Sequence, residues 1–178
     1  MKIGKELLAK MPENYRNHNV ISTSAIGMLM KFRDVESAER IFRSIETKNI
    51  ITYNAMIKGY VGNETFEKAI YTEFNLGYVG NEMFEKALDL FEQIHLGLTN
   101  VTYTLVLNAC AKLCNDRAMK IGKELLAKMP ENYRNDNTTS TSAIDMLIKF
   151  GDVESAERIF RSIETKNIIT YNAMIKGN

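Results

Sequence analysis

NTTSTSAIDMLIKFGDVESAERIFRSIETKNIITYNAMIKGN, residues Asn137–Asn178, decides the fold, because almost the same words stand near the start of the chain at Asn19–Gly59. Aligning Met1 with Met119 and running on to Gly59 with Gly177 gives an offset of 118. Over those 59 positions only six differ: His18/Asp136, Val20/Thr138, Ile21/Thr139, Gly27/Asp145, Met30/Ile148 and Arg33/Gly151. A smaller duplication lies between them. GYVGNETFEKAI at Gly59–Ile70 returns as GYVGNEMFEKAL at Gly77–Leu88, an offset of 18. Repetition at a fixed interval makes the unit of structure a repeat and not a single closed core.

Composition narrows the function classes. The 178 residues carry a formal net charge of +1, so no global field points to nucleic acid or membrane and any basic surface is local. No apolar run approaches the roughly 18 residues of a membrane span. The opening MKIGKELLAKMPE has two glutamates and no apolar stretch of the secretory kind, and the same words recur inside the chain at Met119–Glu131. It reads as the middle of a helix. The two cysteines, Cys110 and Cys114, are too few for a disulfide scaffold. With no second Cys/His pair to complete a metal site, they read as a small core residue and a loop neighbour.

The apolar spacing is helical from end to end. Met1–Met11 reads as the back half of a helical hairpin, ended by Pro12, with PENYRN as a loop. Helices follow over Asn19–Phe32 and Asp34–Glu46, the second capped by Asp34 and presenting Ala38, Ile41, Phe42 and Ile45 on one face. The next begins after Asn49 with Tyr53, Met56, Ile57 and Tyr60 inward, and Gly62-Asn63 is expected to break it. Glu64–Phe74 is helical by the same test and Gly77–Asn81 breaks the chain again, but Glu64–Leu76 is extra relative to the regular pattern. It reads either as a bulged loop or, over Phe66–Tyr78, as a surrogate front helix for the helix Glu82–His95, whose buried face is Phe84, Ala87, Leu88 and Phe91. Asn100–Leu113, with Tyr103, Val106, Leu107 and Cys110 inward, pairs with Asn115–Met129. Thr138–Phe150, Asp152–Glu164 and a helix from Ile168 replay the opening. The expectation is an all-α chain of about eleven helices in antiparallel pairs, an α-solenoid.

The wording then decides among solenoid families. NVTYTLVLNACAKL, SAIDMLIKFGDVESAERIF and NIITYNAMIKGYVGN with FEKALDLFEQI strongly resemble the pentatricopeptide repeat family, in its alternating long, short and standard variants. The resemblance covers essentially the whole chain. It implies a partial long motif over 1–18, a short motif over 19–49, and a standard motif over 50–99 stretched by the 18-residue internal copy. A long motif over 100–136, a short motif over 137–167 and a partial standard motif over 168–178 follow. The long, short and stretched standard motifs together make up the 118-residue offset. The implied superhelix is right-handed. The chain is expected to begin and end inside motifs, leaving two uncapped faces and a tendency to self-associate.

Stepping about 100° per residue away from the buried stripe reaches a second recurrent face. It runs Val101, Thr104, Asn108, Lys112; Val20, Thr23, Gly27, Lys31; Ile51, Asn54, Lys58, Gly62; Thr138, Thr141, Asp145, Lys149; and Ile169, Asn172, Lys176. Thr and Asn are poor interior helix residues, so their recurrence at one step suggests a task other than stability. This face carries three tools for single-stranded nucleic acid. Val20, Ile51, Val101, Thr138 and Ile169 can pack on base planes. Thr23, Asn54, Thr104, Thr141 and Asn172 can hydrogen-bond base edges. Lys31, Lys112 and Lys149 can meet phosphate.

The resemblance implies the same division, with the fifth and last positions of each motif selecting the base and the second sandwiching it. The last positions are Asn49, Thr99, Asp136 and Asn167, and Asn49, Thr99 and Asn167 also sit at helix entrances, where Asn and Thr are ordinary N-caps. By the family's pairing rule, Thr23 with Asn49 and Thr141 with Asn167 imply adenine, Asn54 with Thr99 a pyrimidine, and Thr104 with Asp136 guanine.

These readings imply a single-stranded RNA partner, organelle RNA editing, processing or stability as the context, and a mitochondrial or plastid location, although no transit peptide is visible. The editing relatives carry a deaminase-like domain with a His-x-Glu and Cys-x-x-Cys zinc signature, which this chain lacks. No enzymatic activity, catalytic residue, metal or cofactor is therefore expected, and a deaminase or RNA-processing protein is expected as a separate partner. The rival reading is a protein-binding scaffold built from the same kind of helical pairs.

Overall fold

The helical spacing becomes ten helices and no strand among the described residues. The structure is a computed structural model that describes residues 18–73 (backbone alone over 66–73) and 81–175, together with Glu6, Lys10 and Pro12. Apart from Glu6 and Lys10, which are helical, the helix expected over Met1–Met11 lies outside them, as do most of the first PENYRN and the last lysine of the recurrent face, Lys176. The chain forms two compact units, Met1–Gly97 and Leu98–Asn178.

In the first unit, α1 (Asn19–Lys31) and α2 (Val35–Ser44) are joined by three residues, a link short enough to force antiparallel packing. The expected Asp34 cap is present: its carboxylate accepts from the Ser37 amide at 3.2 Å. α1 closes with Arg33 in the left-handed region, at φ 64°, while the Arg33 amide donates to Met30 and the Asp34 amide to Leu29. The second copy makes the same closure with Gly151 at φ 75°. The Arg33/Gly151 difference thus falls where a Cβ is disfavoured. Arg33→Gly is expected to raise stability by about 1 kcal/mol, visible as a higher melting temperature.

Two further helices of this unit among the described residues are α3 (Ile50–Glu73) and α4 (Glu82–Glu92). α3 packs on α1, α2 and α4. Its Met56, Ile57 and Tyr60 are buried as expected, and so are Phe84, Ala87 and Leu88 of α4. The break expected at Gly62-Asn63 does not occur, and α3 runs on for 24 residues. Asn63 is buried, and its amide nitrogen donates to the Met30 carbonyl at 3.0 Å and the Gly59 carbonyl at 2.8 Å. A residue that would favour a turn in water is held in the helix by satisfying the C-terminal end of α1. Gly59 permits that approach, since a Cβ there would collide with the Met30 side chain. The bulged-loop reading of Glu64–Leu76 is corrected as far as Glu73. Phe66–Glu73 continues α3 and is not a separate front helix, while 74–76 and the end of the proposed surrogate lie outside the described residues. Glu64 itself is buried and caps α4 from a distance, accepting from the Met83 amide at 2.7 Å where Asn81 makes no side-chain cap.

Glu39 of α2 ties this unit together at one edge. It accepts from the Tyr60 hydroxyl at 3.0 Å and the Arg43 guanidinium at 2.8 Å, with the Lys86 ammonium 3.5 Å away. Burial, and then the neighbouring Glu39 carboxylate, push the Tyr60 phenol well above the ordinary tyrosine range. The phenol therefore ionises at higher pH folded than unfolded. Its contribution is fully present below about pH 10 and is lost as pH rises beyond it. Melting temperature is expected to fall above that pH, and Tyr60→Phe to flatten the fall. Parallel curves for the two proteins would count against this.

The second unit holds α5 (Asn100–Leu113), α6 (Asp116–Ala127), α7 (Glu131–Arg134), α8 (Asn137–Lys149), α9 (Val153–Ser162) and α10 (Ile168–Ile175). α5, α8 and α10 pack in series, with α6 against α5 and α9 against α8 and α10. Tyr103, Val106, Leu107 and Cys110 are all buried, as the spacing predicts. The second PENYRN is not wholly a loop, because Pro130 leads into the single turn α7. Cys110 is a core residue whose thiol burial pushes up to about 12, and Cys114 is exposed where α5 ends. Local detail repeats between copies: Lys48 over Phe42 and Lys166 over Phe160 both stand 5.1 Å from the ring centroid.

Candidate nucleic-acid interface

The face opposite the core stripe is exposed where the sequence places apolar residues on it. Val20 is 67% exposed, Ile51 63%, Val101 49% and Ile169 62%, each in the first turn of its helix. Thr138 occupies the same step of α8 and is also exposed. Lys31 and Lys112 are exposed. Lys149 is exposed too, and its ammonium forms an ion pair with Asp145 at 2.6 Å. The first copy has Gly27 in place of Asp145 and cannot form that pair.

The base-edge candidates sit one turn further along. Thr23, Asn54, Thr104 and Thr141 are half-buried, and Asn172 is exposed. The motif-end residues are N-caps in structure. Asn49 accepts from the Thr52 amide at 2.9 Å, Asp136 from the Thr139 amide at 2.9 Å, Asn167 from the Thr170 amide at 3.0 Å and Thr99 from the Thr102 amide at 3.4 Å. Capping occupies one side-chain oxygen. It leaves the amide nitrogen of Asn49 and Asn167, and the second carboxylate oxygen of Asp136, for other partners.

Three of the four expected pairs are joined by a buried threonine. Thr52, 0% exposed, bonds the Thr23 hydroxyl at 3.0 Å and Asn49 Oδ1 at 2.9 Å. Thr139, equally buried, bonds Thr104 at 3.1 Å and Asp136 Oδ2 at 2.7 Å. Thr170 bonds Thr141 at 3.2 Å and Asn167 Oδ1 at 3.0 Å. Each of these bonds to a base-edge candidate crosses from one helix to the next, 29 or 35 residues along the chain. Asn54 belongs to the first unit and Thr99 to the second.

Reading the exposed face alone misses Thr52, Thr139 and Thr170, because they point inward. A signal for them exists: a Thr follows each cap by three residues, in NIIT, TNVT, DNTT and NIIT. The first copy departs from it at α1, where His18 and Ile21 replace Asp136 and Thr139 and the cap bond is absent. Cap and threonine change together.

Among the described residues, no helix is long and apolar enough to cross a membrane and no three His, Cys, Asp or Glu side chains are grouped to hold a metal. Serial front helices with partner helices behind them define a helical-repeat protein. A family model described as the PPR repeat matches residues 51–71 and 138–168. Pentatricopeptide repeat-containing protein At1g03540 of Arabidopsis thaliana is 32% identical over 99% of this chain and 26% of its own length. The Arabidopsis thaliana proteins At3g49170, chloroplastic, and At2g03380, mitochondrial, which bear the same family title, are 26% and 27% identical over 99% and 98% of this chain and 19% and 23% of their own lengths. The chain belongs to the pentatricopeptide repeat family. It spans about a fifth to a quarter of the length of the curated relatives it matches.

Proposed function

We propose that this chain binds single-stranded RNA sequence-selectively through the front faces of α1 and α3 in the first unit and of α5, α8 and α10 in the second, within a protein of organelle RNA processing, editing or stability. The observation that carries the reading is the recurring set of an exposed Val or Thr in the first turn, a half-buried threonine one turn on, and a cap joined to it through a buried threonine. An exposed Val or Ile in a first helical turn gains nothing from folding, and a base plane is a surface it can cover. In three motifs a buried threonine hydrogen-bonds both members of the polar pair beside it, which supports their acting on one base edge. The pairs held within one unit would read adenine at Thr23 and Asn49, guanine at Thr104 and Asp136, and adenine at Thr141 and Asn167. The compartment follows the chloroplastic and mitochondrial relatives. A separate deaminase or other RNA-processing protein would perform any chemistry, with repeat motifs in the long, short and standard alternation.

Titration with short RNAs at several salt concentrations tests this. Affinity is expected to depend on sequence and to fall with salt as phosphate contacts are screened. A chain that binds every sequence alike, without a salt slope, would be a protein scaffold. Light scattering tests whether the chain self-associates.

A further inference from the structure

We infer that Thr52, Thr139 and Thr170 are positioning residues that set base specificity by fixing which way the hydroxyl hydrogens of Thr23, Thr104 and Thr141 point. The inference rests on the RNA-reading proposal and adds to it residues that touch no base.

Proton counting carries the argument. The backbone amide of Thr170 needs an acceptor, so the atom of Asn167 that caps α10 is its carbonyl oxygen. That oxygen lies 3.0 Å from Thr170 Oγ1 and has no hydrogen. Thr170 must donate its one hydroxyl hydrogen there. Thr141 Oγ1 lies 3.2 Å from the same Thr170 oxygen, which has no hydrogen left. Thr141 must therefore donate inward, and it turns only lone pairs outward. Identical logic runs from Asn49 through Thr52 to Thr23, and from the carboxylate of Asp136 through Thr139 to Thr104.

Each relay thus turns an ambivalent hydroxyl into an acceptor. With Asn49 or Asn167 alongside, the pair offers one acceptor and one amide donor, which complements the amino group and ring nitrogen of adenine. With Asp136 alongside, it offers two acceptors, which complements the two donors of guanine. At α5 the cap is Thr99, which bonds Thr102 at 3.1 Å through two hydroxyls, either of which can donate.

The test compares the full chain with Thr170→Val and Thr170→Ser on short RNAs that vary the base facing Thr141 and Asn167. The wild-type chain should favour adenine by about tenfold. Thr170→Val keeps the volume and the backbone cap, but frees the Thr141 hydroxyl to rotate. The preference should shrink to about twofold with affinity for the other bases unchanged, and Thr170→Ser should restore it. Retained preference in Thr170→Val, or an equal loss for all four bases, overturns the inference. Thr52→Val provides the same comparison in the other unit if Thr170→Val does not fold. A wild-type chain without base preference sinks the RNA reading, and the specificity role with it. Neutron diffraction separates the two failures without RNA. Deuterons should lie between Thr141 and Thr170 and between Thr170 and Asn167, and a Thr141 deuteron directed to solvent overturns the relay.

Discussion

With Thr141 changed to Asn and Asn167 to Asp together, the base preferred at that position is expected to move from adenine to uracil by about 1–3 kcal/mol, the usual cost of one mismatched base. The reason lies in donors and acceptors. In the native pair the Asn167 amide oxygen is occupied by the Thr170 amide and hydroxyl, so only its NH2 faces outward. An Asp there can keep the cap with one carboxylate oxygen and present the other, an acceptor that suits the ring N–H of uracil and repels the bare ring nitrogen of adenine. Asn at 141 supplies an NH2 for the uracil carbonyl. Competition binding with RNAs differing only at this base measures the swing. Lys149→Ala is the comparison, because taking an ammonium away from a phosphate weakens all sequences alike and lowers the salt slope. If the double change alters affinity equally for every base, Thr141 and Asn167 are a surface residue and a cap, and the RNA reading loses its main support.

Phe84→Ala should cost about 3–5 kcal/mol, while Ile51→Ala should change stability by under about 0.5 kcal/mol. Phe84 is fully buried in α4, so truncation leaves a cavity that the surrounding side chains fill only in part. Ile51 is 63% exposed on the candidate face, so truncation removes little packing. RNA affinity should show the opposite order of directness. Ile51→Ala should weaken binding by about 1 kcal/mol in a chain that melts normally, the lower end of what a base-stacking side chain contributes. Thermal melts and RNA titration on the same samples decide it. An Ile51→Ala chain that melts early, or binds RNA unchanged, would make Ile51 a packing residue and not part of a base platform.

The family, the helical class and most of the buried stripe were legible in the 118-residue duplication, because apolar spacing along a helix is local information. Stripes such as Tyr103, Val106, Leu107 and Cys110 needed nothing beyond their spacing. The exposed Val20, Ile51, Val101 and Ile169 were legible by the same geometry, on the other side of each helix. Where the reading failed, a distant partner had overridden a local preference. Gly62-Asn63 reads as a helix stop, but Asn63 finds the Met30 carbonyl, 33 residues back in the chain, and α3 continues. Glu64 opens the segment whose spacing allows a bulged loop, yet it is buried in a continuing helix and caps α4 across 19 residues. The sequence also left Asn49, Thr99 and Asn167 as either caps or base readers. The tertiary structure shows that capping uses only one oxygen, and it adds the buried threonine that joins cap to hydroxyl across neighbouring helices. That junction depends on two helices packing at one register, which residue spacing along a single helix cannot encode.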